Sequence, residues 1–354
     1  MASKTFGTTN HTPLAHQDAR VAVVGAGSLG TAIGGLLLRG GVKVDLVDKN
    51  PHHVEAMKTD GLYLTGTVSE HIPNVSALYP SQMQGSYDII LLCTKIFDNR
   101  VTVPFLLPFL KDDGVIISLQ DGFPDAYIAS VAGSRRTMGC TVEWGATKIA
   151  PGRTEITSEP GFLSLHLGKM PGVSAAQMEK ARDILGRGSI IHFEDNLRSA
   201  RWGKMAVDCS FTALNAVLGG TYSSVSEGSG EVRAICLESM KECFDIGHHL
   251  GVTFQSIQGK DLVKSFYYRG PISKRLAIMR LPSLMRNHRH TRSSMLQDIL
   301  RGQRCEVDDI NGNIVTLGRE NGIPTPVNER IVDILTREME GRLSVSKDNI
   351  RLFR

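Results

Sequence analysis

The segment RWGKMAVDCS, residues 201–210, sets a lysine four residues ahead of an aspartate. On a helix that spacing puts Lys204 and Asp208 one turn apart on one face, close enough to pair. An exposed pair of this kind is ordinary surface chemistry, whereas a buried one is a positioned ammonium that can hand on a proton. Other polar residues end apolar runs or sit in helical patterns: Lys95 in LLCTK, Gln120 and Asp121 in SLQDG, and Ser294 and Glu306 in RSSMLQDILRGQRCEVDDINGNIV. The carboxyl ends of buried parallel strands are the ligand side of an open α/β sheet, which gives Lys95, Gln120 and Asp121 weight. Each residue also has a plainer reading. Lys95 alone is a strand-end lysine reaching solvent, Glu306 a solvated helical residue, and Ser294 a helix cap, since S-x-x-Q before apolar residues is a start signal.

A second signal is VAVVGAGSLGTAIGG, in which Gly25, Gly27 and Gly30 form G-x-G-x-x-G between an apolar run and a helical pattern. The glycines supply a tight turn, close approach of backbone to a pyrophosphate, and close packing of helix on strand. Ser28 and Leu29, between the second and third glycines, belong to the same cofactor-binding turn. Asp48 closes the following strand eighteen residues past Gly30, where a carboxylate accepts from both ribose hydroxyls. It also repels a 2′-phosphate, so NAD is favoured over NADP. Lys49, His52 and His53 stand close behind and could soften that preference.

The elements that position these residues read in two parts. VAVVGAGSLGTAIGGLLLRGG and VKVDLVDKN make a complete βαβ unit, and YDIILLCTK and GVIISLQDG add short apolar strands buried on both faces. RTMGCTVEWGATKIAPGRTEIT and GFLSLHLG read as further strands, alternating as where a sheet turns antiparallel. From about residue 196 the pattern changes to a 3.6-residue period in LRSARWGKMAVDCSFTALNAVL, SGEVRAICLESMKECFDIGHHLG, SSMLQDILRG and DDINGNIVTLGRENG. The expectation is a polar, flexible tail over 1–19, an α/β dinucleotide-binding domain over 20–195 and an all-helical domain over 196–354, with the site in the cleft between them. The long helix SGEVRAICLESMKECFDIGHHLG is a candidate for burying a second face in a homodimer.

Composition narrows the classes. With 41% apolar residues, 21% charged and a net charge of +4 over 354 residues, the chain is globular, and its bulk charge gives no ground for a nucleic-acid or membrane partner. The six cysteines are scattered, with no C-x-x-C and no ligand spacing to histidine, so reduced thiols in a cytoplasmic protein, and no metal, are expected. His192, His248, His249, His288 and His290 read as structural or surface residues.

Taken together, SSMLQD, E-V-D-x-I-N-G and the W-x-K-x-A-V helix resemble the ketopantoate reductase family over about residues 20–340. The resemblance implies an α/β Rossmann N-terminal domain joined to an all-α C-terminal domain similar to that of 6-phosphogluconate dehydrogenase. It implies an NAD(P)-dependent oxidoreductase moving a hydride between a nicotinamide and a small carbonyl or secondary alcohol. Lys204 would be the general acid, Glu306 would hold the substrate hydroxyl, Ser294 would bind a substrate carboxylate, and Lys95 would lie beside the cofactor with Gln120.

Three positions depart from that pattern. At Asp121 and Asp208 the resemblance implies asparagines, and at Thr212 a third. An ionised aspartate cannot donate to an anionic substrate and repels its carboxylate. Three accounts follow. Asp208 pairs with Lys204 and an uncharged or amino-bearing substrate replaces the keto acid; or one aspartate is protonated and donates; or both face away and pantoate chemistry is retained. The first is preferred, so the expected substrate is not ketopantoate. The alternatives are a true 2-dehydropantoate 2-reductase and a non-catalytic dinucleotide sensor. Finally, residues 265–293 carry Arg269, Lys274, Arg275, Arg280, Arg286, Arg289 and Arg292 with no acid, read either as a solvated insert or as a lid or rim that attracts an anionic group.

Overall fold

The computed structural model describes residues 16–257 and 259–354. Most of the expected tail therefore lies outside the described residues. Twelve strands are described: β1 (Arg20–Val24), β2 (Lys43–Val47), β3 (Leu62–Gly66), β4 (Glu70–Ile72), β5 (Ser76–Leu78), β6 (Tyr87–Leu92), β7 (Leu110–Ser118), β8 (Thr137–Val142), β9 (Ala146–Ala150), β10 (Arg153–Ile156), β11 (Ser164–Lys169) and β12 (Ile190–Glu194). Helices flanking them are α1 (Ser28–Arg39), α2 (Pro51–Asp60), α3 (Asn99–Leu106), α4 (Asp125–Ala132) and α5 (Ala175–Leu185).

Eight strands form one sheet in the order β12-β11-β8-β7-β6-β1-β2-β5, parallel throughout except where β11 meets β8. The central strand β6 is buried at all six positions, as a strand covered by helices on both faces must be. One expectation is corrected here. The run 137–156 does not stay in this sheet: β9 and β10 leave it and join β3 and β4 in a separate four-stranded sheet, order β4-β3-β10-β9. The alternation at β9 and β10 thus marks a second, smaller sheet that packs on α1.

The sheet ends at Glu194, and the remaining elements are helical: α6 (Leu197–Val207), α7 (Ala213–Leu218), α8 (Tyr222–Ser226), α9 (Gly230–His249), α10 (Leu262–Phe266), α11 (Pro271–Leu284), α12 (Ser294–Leu300), α13 (Val307–Glu320) and α14 (Pro326–Met339). The 3.6-period pattern suggests one continuous helix through 197–218, but a π turn at Asp208–Thr212 separates α6 from α7. The cause lies in tertiary donors. The Cys209 carbonyl accepts from Ser239 Oγ at 2.8 Å and from Asn311 Nδ2 at 2.7 Å, which draws it out of the regular helical ladder.

The long helix α9 packs against α6, α11, α13 and α14, and Glu231, Ala234, Ile235, Glu238, Lys241 and Asp245 along it stay partly exposed. An exposed apolar stripe of the helical part lies on α11, at Ile272, Leu276 and Met279. Arg201, on α6, ties the two parts together from a site only 3% exposed. Its guanidinium grips Asp125 at the start of α4 and donates to the carbonyls of Ser118, Gln120 and Cys140 at the ends of β7 and β8. All six cysteines are free, and among the described residues no helix is long and apolar enough to cross a membrane.

Candidate active site

A cleft of about 1100 Å³ opens between the carboxyl ends of the parallel strands and the helices that follow. Gly25, Gly27, Ser28, Leu29, Asp48, Lys95, Gln120, Asp121, Lys204, Asp208, Thr212, Ser294 and Glu306 all line it. Of the expected site residues only Gly30 does not. It lies beneath the turn, where a side-chain Cβ would stand 2.3 Å from the Gly25 carbonyl oxygen.

At one end is the glycine turn. Gly25 has φ of +90°, and a Cβ there would fall 2.6 Å from the Thr94 nitrogen. Gly27 is different, because nothing lies within 4 Å of the place its Cβ would occupy. The open side of Gly27 leads into α1, whose N-terminus has no side-chain cap, so the turn has room and free donors for a pyrophosphate. These residues fit a dinucleotide. Ser28 Oγ is used within the protein, donating to Gln297 Oε1 on α12 at 3.4 Å and accepting the Lys148 amide of β9 at 3.0 Å. Leu29 packs on the core of the α/β part.

Asp48 lies one residue beyond β2, with Oδ1 accepting the Asn50 amide at 2.8 Å and the cleft before it. Lys49 and His52 share this rim, whereas His53 does not. It is buried at 1% exposure, donating from Nε2 to the Ala26 carbonyl at 2.7 Å and accepting the Gly152 amide at Nδ1. Burial and the nearby Lys148 charge hold His53 below the ordinary histidine range, so its neutral ring braces the glycine turn and takes no part in reading a ribose. The cation that sequence reading missed here is Lys148, whose pKa burial lowers while Asp48 opposes the shift.

The other end holds two charge clusters. In the first, Lys95 Nζ sits 2.5 Å from Asp298 Oδ2 and 2.9 Å from Glu306 Oε2, while Glu306 Oε1 accepts the Ile96 amide at 3.0 Å. Burial works against the Lys95 charge, but the two carboxylates overcome it and hold its pKa above the usual lysine value. In the second, Lys204 Nζ lies 2.5 Å from Asp208 Oδ1 and 3.2 Å from Asp121 Oδ1. Burial again opposes the charge, and Asp121 and Asp208 together raise the Lys204 pKa. Asp208 is 1% exposed, and burial and the Asp121 charge push its carboxyl up to about 7 against the pull of Lys204. Thr212 Oγ1 donates to Asp208 Oδ1 at 3.2 Å and lies 3.0 Å from the Tyr222 hydroxyl. Asp208 Oδ2 is buried with no hydrogen-bond partner.

The third account of the aspartates is therefore corrected: both face Lys204. Glu306 belongs to Lys95 rather than standing beside Lys204. Gln120 spends its amide on Thr94, Asn99 and Ser118, which fixes the ends of β6 and β7. Ser294 is not the cap of α12, since Ser293 Oγ accepts the Leu296 amide, and Ser294 stands in the first turn facing the cleft.

Sequence reasoning missed Asp298, Tyr222 and His288. Asp298 carried a usable signal, lying four residues after Ser294 on the same helical face. Tyr222, in GGTYSS, carried none. His288, read as structural or surface, is buried and lines the cleft, with Nδ1 3.2 Å from Ser158 Oγ; burial and the Lys204 charge lower its pKa to about 4. Of the basic run 265–293, Lys274 pairs with Glu238 and Arg289 with Glu227, so part of it serves to anchor helices. Arg292 alone among its seven cations lines the cleft.

Comparison with known proteins agrees with the two-part architecture. Residues 21–172 match the family described as ketopantoate reductase PanE/ApbA, and residues 196–339 match ketopantoate reductase PanE/ApbA C terminal. The chain is 25% identical over 311 residues to 2-dehydropantoate 2-reductase of Pyrococcus horikoshii, covering 87% of this chain and 94% of the relative. A PanE/ApbA family ketopantoate reductase from Ralstonia eutropha JMP134 superposes with a TM-score of 0.75 at 28% identity, covering 91% of this chain and 99% of the other. In fold the chain is also similar to D-mandelate dehydrogenase, solved with NADH and anilino(oxo)acetate, with a TM-score of 0.77 at 19% identity and the same coverage. By these matches and by its two-part architecture, the chain belongs to the ketopantoate reductase family.

Proposed function

We propose that this chain reduces, or forms in the reverse direction, a small carbonyl compound other than ketopantoate, with Lys204 as the proton donor. As a member of its family it is an NAD(P)-dependent oxidoreductase acting on CH–OH/C=O groups. A bound reduced nicotinamide supplies the hydride to the carbonyl carbon. The chain's own residues do the rest. Lys204 gives a proton to the oxygen on which negative charge develops, so that carbonyl becomes alcohol and the ammonium becomes an amine until it regains a proton. Asp121 and Asp208 fix the ammonium from two sides. Lys95, held by Asp298 and Glu306, keeps those two carboxylates in place at the strand ends, and Ser294 offers its hydroxyl to the substrate.

The observation that carries this reading is the seating of Lys204 between Asp121 and Asp208 in a closed part of the cleft. It also argues against ketopantoate, whose carboxylate would enter beside two acids. A 2-dehydropantoate 2-reductase is the second reading, favoured by the names of the relatives. A sensor that binds dinucleotide without turnover leaves the paired Lys204 and Lys95 clusters without a task. Asp48 favours NAD, with Lys148 and Lys49 close enough to admit NADP. The same reading places the enzyme in the cytoplasm as a homodimer, for which light scattering after gel filtration is the check.

Steady-state absorbance with NADH or NADPH tests the assignment, using ketopantoate beside other 2-keto acids, neutral ketones and amino ketones. Turnover of carbonyls other than ketopantoate, with NADH preferred, is the expected result. Fast NADPH oxidation with ketopantoate overturns the substrate part and selects the second reading. Asp48→Ser tests the cofactor part, with a shift of about tenfold or more toward NADPH expected from loss of the ribose acceptor and of its repulsion.

A further inference from the structure

The acids around Lys204 and Lys95 are more than those two cations need. Asp121, Asp208, Glu306 and Asp298 line the same end of the cleft, and the two ammoniums are each already shared between two of them. One junction lacks a cation. Asp121 follows β7, and Glu306 is the residue at which α13 begins; the intervening backbones touch, since a Cβ on Gly122 would lie 3.3 Å from the Asp309 carbonyl oxygen. The Asp121 charge is felt at Glu306 as a repulsion that helps raise its pKa, behind burial and against Lys95. Each of the two carboxylates is paired with its own lysine, Asp121 with Lys204 and Glu306 with Lys95.

A separate observation points the same way. Asp208 Oδ2, on a side chain 1% exposed, has no hydrogen-bond partner, so this end of the cleft has a carboxyl oxygen to spare. The remaining groups near Lys204 are neutral: His288, held uncharged by burial and Lys204, and Tyr222 on Thr212. The one cation of the basic run that lines the cleft, Arg292, is an exposed residue. Lys148 and Arg301 sit with Asp48 at the dinucleotide end. Among the described residues, the ion pairs of Lys204 itself are with acids only, Asp121 and Asp208.

We infer that the substrate is a cation at its reacting end, an amino ketone or the corresponding amino alcohol, whose ammonium seats between Asp121 and Glu306 while its oxygen meets Lys204. This rests on the oxidoreductase reading above and specifies its substrate class. The ammonium completes an alternation of charge that runs from Asp298 through Lys95 and Glu306 to Asp121 and Lys204. A buried carboxylate such as Glu306 with a like charge nearby is costly, and a cation between the two lowers that cost.

Two probe series that differ chiefly in charge test the inference at pH 7: aminoacetone, hydroxyacetone and pyruvate, and 2-amino-1-phenylethanone, 2-hydroxy-1-phenylethanone and benzoylformate. With NADH-loaded enzyme, kcat/KM is expected to fall from cation to neutral compound to anion, by tenfold or more between the ends. Asp121→Asn, a partly exposed position, is expected to shrink that ratio at least tenfold. Calorimetric titration of the NADH complex with 1-amino-2-propanol, 1,2-propanediol and lactate gives a readout independent of turnover, and the amino alcohol should bind tightest. Equal values across a series, or preference for the anion, overturn the inference and leave the oxidoreductase reading standing. Failure of every probe to oxidise NADH overturns that reading and the inference with it.

Discussion

The guanidinium of Arg201 meets both oxygens of Asp125, with Nε 2.7 Å from Oδ2 and Nη2 2.8 Å from Oδ1, and the pair bridges the helical part to the α/β sheet. The same guanidinium donates to three carbonyls at the strand ends, so every carbonyl it releases on removal is left buried. Arg201→Met should therefore destabilise the fold by about 3–5 kcal/mol, the cost of leaving Asp125 as an unpaired buried charge. Urea unfolding measures it. A double change that also replaces Asp125 with a neutral residue should recover part of the loss, and if it recovers none the pair is not the source.

The glycine turn separates folding from binding. Gly30→Ala drives a methyl into the Gly25 carbonyl oxygen at 2.3 Å and should lower stability. Gly27→Ala meets open space, and its φ of −74° asks for none of glycine's special freedom, so the melting temperature should stay within about two degrees. The methyl then occupies the space a pyrophosphate needs. Titration with NADH, followed by fluorescence, should show affinity reduced at least tenfold; unchanged affinity would remove the turn from the cofactor site.

How much of this was legible in the sequence depends on whether a feature is local. The fingerprint glycines, the strand ends at Lys95 and Asp121, and the pairing of Lys204 with Asp208 follow from spacing within a few residues. The Lys95–Asp298–Glu306 cluster joins residues about 200 positions apart, and no local period reveals it. The same holds for the π turn at Asp208–Thr212, which is caused by Ser239 and Asn311 pulling on one carbonyl. The departure of β9 and β10 into their own sheet was hidden because an antiparallel pair looks the same in sequence whichever sheet it joins. His53 and His288 show the opposite risk: a histidine near a site reads as surface or ligand until its burial is known.

Reduction should slow as pH rises past neutrality, through Asp208. Its carboxyl is raised to about 7 by burial and Asp121, so it is largely neutral below that value and charged above it. Once charged, it adds a second anion to Asp121 beside Lys204, and the ammonium parts with its proton less readily. The expected profile of kcat for reduction is a plateau below about 7 and a decline above. Asp208→Asn carries no charge at any pH and should remove that limb. A limb that persists in this variant would assign it to another group.

Far from the cleft, Glu338 on α14 sets a different pH dependence. Its Oε1 accepts Asn349 Nδ2 at 2.9 Å, its Oε2 is buried without a partner, and burial raises the carboxyl to about 8. Asn349 also reaches the carbonyls of Ser344 and Val217, so this contact holds the C-terminal segment against α7 and α14. A folded-state pKa above the unfolded value near 4.5 means that the folded protein binds the extra proton. The stability so gained is full below about 4.5 and is lost as pH climbs through about 8. Because the group keeps some contact with solvent, the difference is discounted to roughly 1–3 kcal/mol. Glu338→Gln retains the bond from Asn349 without the titration. Urea midpoints from pH 5 to 9 should fall more steeply in the wild type than in this variant, with the gap widening from pH 5 up to about 8 and constant above it. Parallel curves would mean that Glu338 ionises freely in the folded protein and that its unpartnered oxygen reaches water.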